Sequence, residues 1–186
     1  EPILDQHFLA RGRIGRLIVA TIHPDTPPIG LGIDENTALV VEGGAATVVG
    51  ASGVVVVDGR QASLLGPARA TGVRVSVAGR GDTIDLDAFS IERGAGKESL
   101  VEDGHPFRPD SDPFDRWAFL GAVSGLSRTS ASEAVYDLRG VTLRIIESEG
   151  FSASATAPGG RVEAAPDGLS AGPFEVDLVG PGPPLD

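Results

Sequence analysis

The 186 residues contain no cysteine, which excludes a disulfide scaffold, a thiolate zinc site and a cysteine nucleophile. Methionine is absent too. A chain without an initiator methionine is expected to be part of a longer translation product, so a functional reading has to allow for an upstream segment. Aromatic residues make up only 5%, and the core must therefore rest on Val, Leu, Ile and Ala. Lysine is nearly missing as well, Lys97 being the only one among 15 basic residues. No apolar run approaches the roughly 18 residues of a membrane-spanning helix, and no signal-peptide pattern opens the chain.

What is present is glycine and proline. Gly 26 and Pro 14 make a heavily turned chain, which rules out a helical bundle. The length allows one ordinary domain, or one and a fraction. The net charge of −11 repels phosphate backbones, so no nucleic-acid partner is expected. Against this acidic background Arg11, Arg13 and Arg16 stand together, and residues 1–60 hold only one other basic residue, Arg60. Three guanidinium groups so close suit carboxylate recognition through paired hydrogen bonds, although a solvated helix face is the plainer reading.

The apolar positions Ile14, Leu17, Ile18 and Ile22 predict a helix over 13–22, stopped by His23-Pro24. On its wheel Arg13 and Arg16 lie about 60° apart, and Arg11 joins them only if the helix starts after Gly12. From Ile29 the period changes. Thr37–Val41 and Ala46–Val49 read as a hairpin around Glu42-Gly43-Gly44-Ala45, and Val54–Val57 as a strand buried on both faces. Val73–Ala78 and Thr83–Leu86 repeat the hairpin pattern around Gly79-Arg80-Gly81-Asp82. Residues 93–113 are polar, acidic and broken, hence a linker or long loop. Phe114, Trp117, Leu120 and Val123 mark a second helix, followed by strands near 141–147 and 174–179 and a Pro/Gly tail. No internal repeat is evident.

His7 is the best candidate catalytic residue. It lies beside Asp5 and Gln6, at the entrance to a helix and ahead of the arginines. An imidazole there can act as a general base if a polar neighbour fixes its tautomer, although a lone histidine is more commonly a surface or cap residue. Metal readings are weak. His7, His23 and His105 are never at i, i+4 spacing, and Asp110-Ser111-Asp112 with Asp115 lacks the glycine and distal Glu of a calcium loop.

Asp5-Gln6-His7-Phe8, then Arg11-Gly12-Arg13-Ile14-Gly15-Arg16-Leu17, then Gly30-Leu31-Gly32-Ile33-Asp34-Glu35-Asn36-Thr37-Ala38 resembles the cyanophycinase family of serine peptidases over roughly residues 3–60. The resemblance implies an α/β fold, a three-layer class I glutamine amidotransferase-like hydrolase of which this chain is the β-rich C-terminal part. Residues 1–90 would be the second half of that hydrolase domain, 91–113 an acidic loop or linker, and 114–186 a divergent α+β extension. It implies further that His7 is the base for a serine on a sharp strand-to-helix turn. Gln6, Arg11, Arg13, Arg16 and Asn36 would line the substrate site, the arginines holding substrate carboxylates.

In that family the serine and the acidic partner of the histidine are expected upstream of the Asp-Gln-His-Phe motif. Within this chain Ser124 lies one place off a Gly-x-Ser-x-Gly spacing in an expected helix, and Gly50-Ala51-Ser52-Gly53 reads as a turn. These residues alone are therefore expected to be inactive. The implied partners are an acidic peptide such as cyanophycin and the upstream segment of the same protein, with no cofactor, metal or membrane, and a homodimer left open. A bacterial source is implied, and the compartment stays open between cytoplasm and export. The alternative is a catalytically degenerate family member that survives as a binding or structural module.

Overall fold

A computed structural model describes residues 1–66, 69–101, 107, 112–138, 140–156 and 167–180. Strand β1 (Ile3–Gln6) and strand β2 (Ile29–Ile33) run parallel, with Ile3 opposite Gly30 and Gln6 opposite Ile33. Between them come a 3-10 turn (Leu9–Arg11) and helix α1 (Ile14–Ile22). The expected helix is thus present, with Arg13 as its N-cap, and Gly12 (φ 57°) separates it from the 3-10 turn. Ile14, Leu17 and Ile18 form its buried stripe. His23 is already extended, as its position before Pro24 requires.

Strands β3 (Thr37–Glu42) and β4 (Ala45–Gly50) form the expected hairpin. Its two-residue turn is Gly43-Gly44, at φ 58° and 85°, the left-handed pair that matches strand twist. Strand β5 (Val54–Asp58) returns antiparallel to β2, and all four of its valines are buried. The remaining elements are β6 (Ser63–Gly66), β7 (Arg69–Ala78), β8 (Thr83–Asp85), β9 (Ile91–Glu92), β10 (Glu98–Ser99), α2 (Ala118–Leu126), β11 (Glu133–Leu138), β12 (Val141–Ala155) and β13 (Ser170–Val179).

The main sheet runs β1-β2-β5-β7-β13-β12-β10, with β6 beside β7 and β11 beside β12; a second sheet runs β3-β4-β8-β9. Alternation along β5 divides the core. Val55 and Val57 join Leu17, Val75, Phe119, Leu143 and Phe174 in the cluster that includes both helices. Val54 and Val56 join Leu31, Ala46, Val48 and Ile84, between the two sheets. The fold is mostly β-sheet with few helices, compatible with a β-rich part of an α/β fold. Among the described residues β1 and β2 are the one parallel pair.

Three expectations need correction. Val73–Ala78 and Thr83–Leu86 do not form a hairpin: β7 stays in the main sheet, while β8 pairs with β4 and β9 in the second. The second helix begins at Ala118, after Phe114 and Trp117, because Trp117 takes a left-handed conformation (φ 64°) and its N–H bonds the Leu9 carbonyl at 2.9 Å. The acidic segment is not all loop. Glu98 and Ser99 pair with Ala155 and Ser154, and the Leu100 N–H bonds the Ala153 carbonyl. Strands 141–155 and 170–179 are longer than the apolar pattern suggested. His105, Asp110, Ser111 and most of the Pro/Gly tail lie outside the described residues.

Candidate active site

Two adjacent parallel strands point their C-terminal ends the same way, and the loops leaving them meet. This is the position at which open α/β sheets place ligands. β1 ends at Gln6, and His7 turns the chain in a left-handed conformation (φ 52°), which is rare for a residue with a Cβ. Phe8 anchors that turn. It is fully buried against Gly32, where a Cβ would stand 2.4 Å from the ring, and its N–H bonds the Ile33 carbonyl. β2 leads into Asp34-Glu35-Asn36, and Asn36 is left-handed too (φ 53°). Two uncommon backbone conformations at facing loops are typical of functional positions.

The loops are joined by His7 Nδ1 and Glu35 Oε1 at 3.2 Å. An ionised carboxylate only accepts, so a hydrogen bond here needs a proton on Nδ1, and in the neutral imidazole the lone pair then lies on Nε2. Both side chains are partly open to solvent, at 48% and 37%. Asp34, beside Glu35, is buried and has a different task. Its carboxylate accepts the Ala10 N–H at 3.0 Å and the Ser52 hydroxyl at 2.7 Å, holding the 3-10 turn to the β4–β5 connection.

Glu35, the carboxylate that meets the His7 ring, was not singled out in the sequence, where the acidic partner was expected upstream. It sits within the quoted Gly30–Ala38 motif, the second of two adjacent carboxylates, Asp34 and Glu35, that follow the apolar, glycine-bearing strand β2. Asp5 and Gln6, close to His7 in sequence, make no hydrogen bond with its ring among the described residues. Asp5 is buried; its Oδ1 accepts a hydrogen bond from Arg13 Nη1 at 2.7 Å, and its Oδ2 lies 3.3 Å from Arg16 Nε as an ion pair without a hydrogen bond. Arg13 also donates to the Gln6 carbonyl at 2.9 Å. Two of the three arginines thus share an internal carboxylate, while Arg11 is exposed and has no hydrogen-bond or ion-pair partner among the described residues. Three guanidiniums against one carboxylate still leave the loop cationic. The Gln6 side chain is exposed at the end of β1, and Asn36 is exposed on the facing loop.

A cleft of about 660 Å³ adjoins Glu35 and Asn36 and is lined also by Ser52, Arg116, Trp117 and Asp167. Arg116 and Trp117 were not anticipated. Arg116 Nη2 stands 3.9 Å from Glu35 Oε2, and its guanidinium lies over the Trp117 ring at 5.8 Å. Glycines let this segment reach the histidine loop. A Cβ on Gly12 would come within 1.8 Å of the Phe114 carbonyl oxygen, and one on Gly15 within 2.7 Å of the Phe114 ring. Gly12→Ala combines that clash with left-handed strain, which alone costs about 1–3 kcal/mol. A lower midpoint in urea, larger than the loss in Gly43→Ala at the open hairpin turn, is the expected result. Ser124 is buried inside α2, as the packing reading of that serine has it.

No family model matches the chain. Over 60 residues it is 50% identical to a cyanophycinase of Trichormus variabilis and to one of Nostoc sp., a stretch that is 31% of this chain and 20% of each relative. Over 102 residues it is 33% identical to a cyanophycinase of Synechococcus elongatus, covering 50% of this chain and 31% of that protein. The matched part thus spans about a third or less of the length of these relatives. In that part of its sequence the chain is cyanophycinase-like.

Proposed function

We propose that the chain is the C-terminal part of a cyanophycinase-like serine exopeptidase that hydrolyses β-aspartyl peptide bonds of the Asp-Arg type. The observation that carries this is the His7–Glu35 pair at the ends of two parallel strands. Glu35 holds the imidazole so that Nε2 faces away from it. There Nε2 takes the proton of a serine hydroxyl during attack on the scissile carbonyl, then returns it to the leaving amine. In this reading the serine is supplied by an upstream segment of a glutamine amidotransferase-like domain, no hydroxyl among the described residues being hydrogen-bonded to His7. β1 supports such a partner. It ends the strand order of the main sheet, and Leu4 on it is 62% exposed. A strand from the upstream segment would pair along that edge and cover Leu4.

A bond made through an aspartyl side chain leaves a main-chain carboxylate beside the scissile amide. Arg11, with Arg13 and Arg16 behind it, holds that carboxylate and turns binding into orientation; Gln6 and Asn36 flank the substrate from the two loops. The test is to express the chain with its upstream coding sequence and assay release of β-aspartyl-arginine. His7→Ala should abolish activity with the circular dichroism spectrum unchanged. Full activity in that variant overturns the reading and leaves the alternative of a non-catalytic binding module.

A further inference from the structure

A second cleft, of about 370 Å³, opens where the Ala88–Arg93 segment passes over the main sheet. We propose that it is a binding site for a small oxyanion-bearing ligand, a carboxylate or a phosphate, separate from the His7–Glu35 loops.

The charge distribution is the first argument. In a chain of net charge −11, Arg60, Arg74 and Arg93 all line this one cleft, with Asp58 as the carboxylate among its walls. The three arginines come from three segments: the β5–β6 connection, β7 and the residues after β9. Asp58 is already engaged. It accepts Arg60 Nε at 3.0 Å and Arg60 Nη2 at 2.7 Å, and burial, which would raise its pKa, is outweighed by these bonds, so the carboxyl stays ionised below the usual range. Arg60 also donates to the Ala88 carbonyl at 3.0 Å and lies over the Phe89 ring. Its guanidinium is therefore fixed before any ligand arrives. Arg93 donates to the Ser152 hydroxyl.

Arg74 makes no hydrogen bond among the described residues. It stands between Asp58 on β5 and Glu175 on β13, its register partners. Asp58 spends both oxygens on Arg60 and acts on Arg74 through its charge alone. Several Arg74 N–H donors thus remain for a ligand. Planar forks of this kind match carboxylate and phosphate oxygens two at a time.

The floor supplies the second argument. Gly172 (φ 131°) and Gly150 (φ 80°) sit at irregularities of β13 and β12, where the register shifts. A Cβ on Gly172 would come within 2.8 Å of Ser76 Oγ. Bare backbone therefore floors the cleft, and the Ser76, Ser90 and Ser152 hydroxyls line it. Hydroxyl donors, two anchored guanidiniums with the unbonded fork of Arg74 beside them, and a volume at the small end of ligand pockets fit a ligand of a few heavy atoms, such as a dicarboxylate or a phosphate.

Isothermal titration of inorganic phosphate and of succinate into the protein at low ionic strength tests this, with sodium chloride as the control titrant. One saturable site is expected for at least one of the two anions. Saturation by phosphate alone assigns a phosphate ligand, and by succinate alone a carboxylate. Affinity should fall at least about tenfold in Arg74→Gln and in Arg93→Gln, given the strength of paired charge-assisted bonds. Arg74→Lys, which keeps the charge and the fold but loses the fork, should fall severalfold. Arg144→Gln, on a guanidinium paired with Glu133, should bind as the wild type does, and so should His7→Ala. Absence of saturation with both anions, or affinities unchanged in the Arg74 variants, overturns the site.

Discussion

Glu35→Gln should lower kcat for β-aspartyl-arginine hydrolysis about 10²–10⁴-fold in the protein containing this chain and its upstream segment, with KM changed far less. The magnitude follows from what an acidic residue does behind a catalytic imidazole: it fixes the tautomer and stabilises the imidazolium that forms on proton transfer. Gln can turn its amide donor toward Nδ1, which favours the wrong tautomer and puts the proton on Nε2. Neither the bound substrate nor Arg11 depends on that proton, so ground-state binding should survive. Glu35→Asp, which keeps the charge but shortens the reach of a 3.2 Å contact, should fall between the two. Steady-state kinetics on the three proteins decide it. Wild-type kcat in Glu35→Gln would mean that the contact does not serve proton transfer.

Lys97→Met is expected to destabilise the fold by about 3 kcal/mol, within the range for removing one partner of a buried ion pair. The side chain of Lys97 is 2% exposed and that of Asp82 0%, with Nζ 2.5 Å from Oδ1. Lys97 donates to Ser170 Oγ at 2.7 Å, and Ser170 in turn donates to Asp82 at 2.5 Å. The Gly79 and Gly94 N–H groups complete the shell of Asp82, each at 2.8 Å. Burial pulls the Lys97 pKa down, and the Asp82 contact only partly restores it. The pair is therefore held at the expense of desolvation, and its contribution is smaller than its length suggests. Its removal is still costly, because Asp82 would stay buried with three donors and no counter-charge. Urea denaturation of the two proteins gives the difference directly. A loss under about 1 kcal/mol would show that the three remaining donors satisfy Asp82 without an ammonium.

The same cluster explains a limit of sequence reading. Gly79-Arg80-Gly81-Asp82 has the composition of a hairpin turn, and locally that reading is sound. What moves the chain from one sheet to the other there is Asp82, which gathers donors from Gly94, Lys97 and Ser170. Partners so distant in sequence leave no periodic trace. By contrast α1 was legible because Ile14, Leu17 and Ile18 bury one stripe, and the β3–β4 hairpin because two adjacent glycines suit a single turn type.

The candidate site divides in the same way. His7 and the arginines stood out by residue type and spacing. Glu35 did not, because its relation to His7 comes from the parallel pairing of β1 with β2 across α1, which neither local composition nor periodicity encodes. The ties of Arg13 and Arg16 to Asp5 were hidden for a related reason. They depend on how the helix start packs back onto the strand that precedes it.

Burial of the only lysine bears on how the folded chain meets the chemistry around it. Every cationic side chain left at the surface is a guanidinium or an imidazole, and the guanidiniums keep their charge to strongly alkaline pH. Acylating reagents, glycating sugars and enzymes that build isopeptide bonds find no lysine side-chain amine to react with until the Lys97 pocket opens. Modification of Lys97 therefore acts as a clock for local unfolding, readable by mass spectrometry on one peptide.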